Sequence, residues 1–345
     1  MLTRMPLNSV EDFASIEQFK HFIQLIGKGQ RSGRTLTQQE AYQAMSLLLA
    51  EKVTAEQRGA FLMLLRVREE TPEEIAGFLQ ACRKFNKSQF TAIEVDLDMG
   101  CYAGKRRHLP WLILSVMCLA QSGKRIVIHG TQEPETERLY VSDALSQIGM
   151  QASTTAAQLE RQLELLGFGY INLAAINKPL DSLIQLRAQL GLRSCANTLA
   201  RMLNPFSASV SLQGVYHHHL DFKHAKVAQI LNQPSVHCFR GDAGEVEYNP
   251  ERGCQLHSVH TGIHGITEIP AMNEQWVTKP RALDTQQLKR VWQGQQNDPY
   301  GVPAVIGTLA LMLMATEQCE WQSAQAAAQS MWCSRNKQWP NLAIF

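Results

Sequence analysis

The chain has 345 residues, 45% of them hydrophobic and 19% charged, which is enough apolar material for one large domain or two moderate ones and excludes a disordered polymer. Its formal net charge of +2 at pH 7 excludes a global polycation, so any basic character must be local. No apolar run reaches transmembrane length and the start of the chain lacks a signal-peptide core, so a cytoplasmic protein without a membrane partner is expected.

The first ninety residues read as helices. Thr37 with Glu40 forms a capping box ahead of the helical spacing of Ala41 to Ala50, and Thr54 with Gln57 repeats it before Gly59 to Arg66. Thr71-Pro-Glu-Glu74 supplies an N-cap, a proline at the first helical position and acidic residues in the first turn. Three short amphipathic helices are predicted, forming a small bundle. From Glu94 the pattern changes to β-branched runs at Ile126–His129, Phe168–Leu173, Val210–Val215 and Ser235–Phe239. Helical patterns lie between them at Arg138–Ile148, Leu159–Leu166, Ser182–Leu190 and Lys223–Leu231. This alternation predicts an α/β fold with a mainly parallel sheet, whose ligands sit at the carboxyl ends of the strands. A last helical stretch, Pro303 to Met331, is expected to return onto the sheet or the bundle.

Asp98-Met-Gly-Cys-Tyr-Ala-Gly-Lys-Arg-Arg-His108 follows a strand-like run and precedes a long apolar helix, a place where α/β proteins hold phosphate. It carries Lys105, Arg106 and Arg107 in succession. Cations at a helix N-terminus oppose the helix dipole, so an anionic partner is expected there. Replacing all three by alanine should then weaken phosphate binding uniformly. His217, His218, His219 and His224 lack the cysteine and carboxylate spacing of a zinc site, and His257, His260 and His264 are expected in loops after the sheet. His129 ends a strand at the ligand edge. Arg83, Lys84 and Lys87 suit the C-terminal end of a helix, and the eight cysteines, without a CxxC pair, read as reduced thiols.

Longer stretches carry a family resemblance. Gln57-Arg-Gly-Ala-Phe-Leu-Met-Leu-Leu-Arg66 and Glu70-Thr-Pro-Glu-Glu-Ile-Ala-Gly77 look like the helical domain of anthranilate phosphoribosyltransferases. Arg187-Ala-Gln-Leu-Gly-Leu-Arg-Ser-Cys-Ala-Asn-Thr-Leu-Ala-Arg-Met-Leu-Asn-Pro205 aligns without a gap on that family's R-x-x-L-G-x-R-T-x-x-N-x-L-G-P-L-x-N-P. The resemblance extends to the wider glycosyltransferase group with pyrimidine nucleoside phosphorylases. It implies a helical, dimerising domain over residues 1–92 and an α/β domain over 93–345, whose last helices could pack back on the bundle. It further implies a pocket for phosphoribosyl pyrophosphate at Gly100, Tyr102, Gly104, His129 and Gly130, with Arg187 near an aromatic acceptor and Mg2+ on Glu245 and Glu247.

The departures from the family are pronounced. G-T-G-G-D is replaced by Gly100-Cys-Tyr-Ala-Gly104, K-H-G-N by Ile128-His-Gly-Thr131, the acidic pair by Gly244-Glu245, and G-P by Ala200-Arg201. The carboxylates of a metal site thin out, with Asp242 and Glu247 as displaced candidates, while cations accumulate. This pattern resembles a bacterial subgroup that is homodimeric and binds nucleic acid. The leading expectation is therefore non-specific nucleic-acid binding, needing no cofactor, through backbone phosphates at Lys105, Arg106, Arg107, Arg193 and Arg201. Tyr102 would either stack on a base or fill the vacated phosphate cavity. The alternative is a Mg2+-dependent phosphoribosyltransferase with an aromatic acceptor.

Overall fold

The computed structural model describes residues 10–29, 32–134, 137–278 and 282–338. Four helices come first: α1 (Val10–Gly27), α2 (Gln38–Leu49), α3 (Ala55–Arg68) and α4 (Pro72–Lys84). The three capping boxes form as read, each threonine hydroxyl accepting from the backbone N–H three residues on. Helix α1 has no such signal and was not foreseen. Gly77 lets α2 and α4 touch, since a Cβ there would lie 2.1 Å from the Gln38 carbonyl oxygen and 2.9 Å from Ala41 Cβ. Gly77→Ala is expected to lower stability by about 1–3 kcal/mol through this overpacking. A urea midpoint equal to the parent's would show that the two helices separate freely.

The remainder is α/β: β1 (Leu97–Cys101), α5 (Leu112–Ala120), β2 (Ile126–Gly130), α6 (Val141–Gln147), α7 (Ala156–Leu166) and β3 (Phe168–Asn172). Short helices α8 (Leu173–Ile176), α9 (Lys178–Gln185), α10 (Arg187–Leu190) and α11 (Ala196–Arg201) lead to β4 (Val210–Val215), α12 (Leu220–Ile230) and β5 (Ser235–Arg240). A two-stranded ribbon follows, β6 (Cys254–His260) and β7 (Ile263–Ile269), then α13 (Gln286–Trp292), α14 (Gly301–Glu317) and α15 (Trp321–Ser334). The sheet order is β3-β2-β1-β4-β5-β6-β7, parallel through β5 and antiparallel beyond.

Alternation along the strands sends their apolar residues to opposite faces. Leu97, Met99, Ile126 and Ile128 join a core with α5, α14 and α15. Val127 and Ile171 face the other way, into a core continuous with Phe19, Phe61 and Phe78 of the first helices. The final helical stretch is two helices bent by 119°, and no single described helix is long and apolar enough to cross a membrane.

The ribbon corrects one expectation. His257 and His260 lie in β6 and His264 in β7, not in loops. His257 Nδ1 is 3.1 Å from His264 Nε2 and the rings stack. No disulfide forms among the described residues.

Candidate functional site

The chain leaves β1 in one direction to build β2 and β3, then returns to place β4 on the other side of β1. The crevice at such a reversal, beyond the carboxyl ends of the strands, is where open α/β sheets take ligands. A cavity of about 570 Å³ lies there. Seven arginines line it: Arg66 from α3, Arg106 and Arg107 after β1, Arg138, Arg193, Arg201 from α11, and Arg252. Tyr216 and Trp276, also in its wall, are 60% and 74% exposed. Burial lowers the pKa of Arg138 and of Arg201; Arg193 and Arg106 lower that of Arg138 further, whereas at Arg201 the nearby Glu245 outweighs Arg193. An anion in the cavity would relieve the crowding at Arg138.

Below the arginines the loop departs from expectation. Lys105 is not a surface cation: it is 1% exposed, and its Nζ donates to Glu247 Oε1 at 2.6 Å and to Asp242 Oδ2. Burial alone would lower the lysine pKa, but the two carboxylates reverse this and hold it above the ordinary value. Asp242, which burial would raise, is brought below its usual range by Lys105, whereas burial lifts Glu247 to about 7. Glu247 Oε2 also accepts from Leu112 N–H at 2.8 Å and so binds the first turn of α5. The helix begins only at Leu112, so Arg106 and Arg107 precede its N-terminus and do not oppose its dipole. Both side chains are exposed at the cavity wall.

The glycine loop is held from both sides. Ala103 and Gly104 N–H donate to Glu245 Oε1 at 2.8 and 2.5 Å. Their carbonyl oxygens accept from Arg138 Nη1 at 2.9 and 3.1 Å, and Arg193 Nη2 reaches the Ala103 oxygen at 3.3 Å. Gly104 adopts φ +69°, where a side chain would be strained.

Glu133 is the anchor for the motif arginines. It accepts from Arg187 Nη1, from Arg193 Nε at 2.8 Å and Nη2 at 2.5 Å, and from Asn197 Nδ2 at 2.7 Å. Burial would raise its pKa, but Arg193 and then Arg187 carry it below the usual carboxylate range. Arg193 lines the cavity, whereas Arg187 is turned to Glu133 and does not. Tyr102 fills interior space rather than offering a stacking face: it is fully buried and its hydroxyl lies 2.6 Å from His129 Nδ1. A Cβ at Gly100 would lie 2.9 Å from Arg201 Cα, and one at Gly130 would lie 2.4 Å from the Cys101 carbonyl oxygen. The residues expected to form a phosphate pocket are thus packed core, and the open volume lies beside them.

Of the two carboxylates assigned to a metal, Glu247 has both oxygens taken, whereas Glu245 has Oε1 taken and Oε2 buried without a hydrogen-bond partner among the described residues. Glu245 is bound to the loop amides and Glu247 to Lys105 and α5. Among the described residues no group of three or more His, Cys, Asp or Glu is placed to hold a metal ion, the histidines around residue 218 included. Arg83 bridges α4 to the end of α11, donating to the carbonyl oxygens of Leu203 and Met202. Sequence reasoning missed Arg66, Arg138, Arg252, Tyr216 and Trp276, which come from separate segments and share no local motif.

The pattern of a family described as "Glycosyl transferase family, helical bundle domain" matches residues 20–85, and that of "Glycosyl transferase family, a/b domain" matches residues 115–331. The anthranilate phosphoribosyltransferase of Bacillus cereus is 27% identical over 203 residues, covering 58% of this chain and 59% of that protein. The one from Methylocella silvestris is 31% identical over 196 residues, covering 56% of this chain and 54% of that protein. The chain thus matches less than two thirds of these relatives' length. The anthranilate phosphoribosyltransferase of Thermus thermophilus superposes with a TM-score of 0.72 at 20% identity, covering 92% of this chain and 95% of that one. The Saccharomyces cerevisiae enzyme, in complex with PRPP and Mg, gives 0.75 at 15% identity, covering 93% and 94%. At these identities the two structures show the shared fold.

Proposed function

Because this chain belongs to the glycosyl transferase family and is anthranilate phosphoribosyltransferase-like in sequence and fold, we propose that it is a phosphoribosyltransferase-type protein whose cavity takes the diphosphate of a phosphoribosyl pyrophosphate-like donor. The observation that carries this reading is that seven arginines line one cavity at the reversal point of the sheet. Guanidinium groups bind phosphate oxygens in pairs and stay charged when partly buried.

Transfer breaks the bond between the anomeric carbon and a pyrophosphate oxygen and forms one to the acceptor nucleophile. Negative charge builds on the leaving group, where the arginines of the cavity wall would stabilise it. Holding donor and acceptor together supplies much of the remaining rate. Arg187 does not line the cavity, so the exposed side chains Tyr216 and Trp276 in its wall are assigned to an aromatic acceptor. Calorimetry with phosphoribosyl pyrophosphate should show micromolar binding, and pyrophosphate should be released when anthranilate is added. Absence of heat would remove the reading; heat without release would confine it to donor binding.

A second reading is favoured by one specific arrangement. Arg106 and Arg107 are exposed and line the same cavity as the exposed Tyr216 and Trp276, a combination that suits the phosphates and bases of a single-stranded nucleic acid. A two-fold contact through the helical bundle would place two such surfaces on one particle. Arg106→Ala with Arg107→Ala, leaving Lys105 untouched, is expected to weaken oligonucleotide binding about tenfold at low salt and to flatten its salt dependence. Fluorescence anisotropy of a labelled single strand at low and moderate salt checks this, and competition by phosphoribosyl pyrophosphate would place both ligands in one cavity. Unchanged affinity in the double variant would dismiss the two arginines.

A further inference from the structure

Phosphate transfer sites commonly pair two kinds of group: backbone N–H facing phosphate oxygens, and carboxylates facing a hard divalent cation. In this chain the loop amides and the Asp242–Glu247 pair find partners within the protein, and Glu245 Oε2 is left buried without one among the described residues. The Glu245 carboxylate takes the amides of Ala103 and Gly104, and the Lys105 ammonium takes Asp242 and Glu247.

The fit around Lys105 leaves no room for an alternative cation. All four oxygens of the two carboxylates are engaged: Asp242 Oδ2 and Glu247 Oε1 by Lys105, Asp242 Oδ1 by Asn249 Nδ2 at 3.1 Å, and Glu247 Oε2 by Leu112 N–H. Mg2+ demands about six oxygens near 2.1 Å in octahedral array. The lysine is held in place between the two carboxylates: its N–H and its carbonyl oxygen are both paired with Leu139 at 2.8 Å, and its side chain is buried. An ammonium brings one positive charge where a metal would bring two. The arginines above it supply the balance. We infer that Lys105 is a resident substitute for a divalent cation, so that Asp242 and Glu247 hold no metal and the cavity takes its phosphorylated ligand without one.

The metal half of this inference is independent of the proposed donor, and only the ligand half rests on it. The first test is titration of the full chain with Mn2+ alone, followed by electron paramagnetic resonance. The expected result is no site tighter than about 1 mM, the weak end of carboxylate sites. A submillimolar site that disappears in Glu247→Gln would overturn the inference. The second test uses Lys105→Met, with its folding checked by circular dichroism. Removing the ammonium frees the carboxylates, so Mn2+ should raise the thermal midpoint of this variant and leave that of the parent unmoved. A folded variant whose midpoint ignores Mn2+ would also overturn it. If the variant does not fold, the titration of the parent decides. The ligand half is read by repeating the calorimetry with phosphoribosyl pyrophosphate in EDTA and in excess Mg2+. Affinities within about threefold of each other are expected, and binding only with Mg2+ would refute it. Heat in neither buffer would count against the donor, while the Mn2+ result would stand.

Discussion

Lys105→Met is expected to cost about 3–5 kcal/mol of folding stability, because it strands two buried carboxylates without their counter-charge. Glu247 is fully buried and the Asp242 side chain is 14% exposed, so water does little to screen their repulsion. Glu247 would still receive the Leu112 N–H, but nothing would neutralise the pair. Combining Lys105→Met with Asp242→Asn and Glu247→Gln removes both signs of charge and should recover most of the loss. Equilibrium urea unfolding at pH 7.5 reads both variants. A single variant as stable as the parent would mean that the three groups are not an ion cluster. A triple variant no better than the single would assign the loss to packing of the lysine stem.

Acidification from pH 7.5 to pH 5 is expected to remove about 2 kcal/mol of stability for each of two buried histidines. Burial, with Arg201 and Lys223 nearby, pushes His224 down to about 3. His237 is pushed down to about 4 by burial first and His260 second. His224 Nδ1 meets Gln213 Oε1 at 2.7 Å, and His237 lies between the hydroxyls of Ser235 and Ser258 at 3.0 and 2.9 Å. Both native pKa values are depressed below the ordinary 6.5. The unfolded chain therefore binds more protons in this range; the contribution is complete above about pH 6.5 and is lost as pH falls toward 4. Glu247, lifted by burial to about 7, has the opposite sign: its contribution is present at low pH and lost as pH rises. Comparison of His237→Gln with the parent isolates one histidine. The variant should lose about 2 kcal/mol less across the interval, and equal losses in the two proteins would sink the assignment.

What could be read in the sequence was local. Thr37, Thr54 and Thr71 announce three helices because a capping box lies within four residues. The strands ending at Gly130 and Val215 show as short β-branched runs, and the sheet follows from their alternation with helices. Strands β6 and β7 were missed because histidine, serine and glycine dilute their β-branched residues, and half of β7 faces water. The site itself was half legible. Lys105, Arg106 and Arg107 look equivalent in sequence, yet the first is sealed by carboxylates more than a hundred positions away and the other two are open. Nothing local records that pairing. The cavity escapes notice for the same reason, as Arg66, Arg138 and Arg252 converge only once the sheet has formed.

The apolar core shared by the first helices and one face of the sheet bears on how the molecule comes apart. Polar staples reinforce it: Asn177 Nδ2 donates to the Cys82 carbonyl oxygen, Lys87 N–H to that of Ile176, and Lys223 Nζ to that of Glu70. Swinging the helices as a lid would expose Phe78 and Phe90 and break these contacts together. The bundle and the sheet are therefore expected to come apart together, as one calorimetric transition rather than two, and entry to the arginine cavity is expected to depend on side chains at its mouth rather than on a hinge.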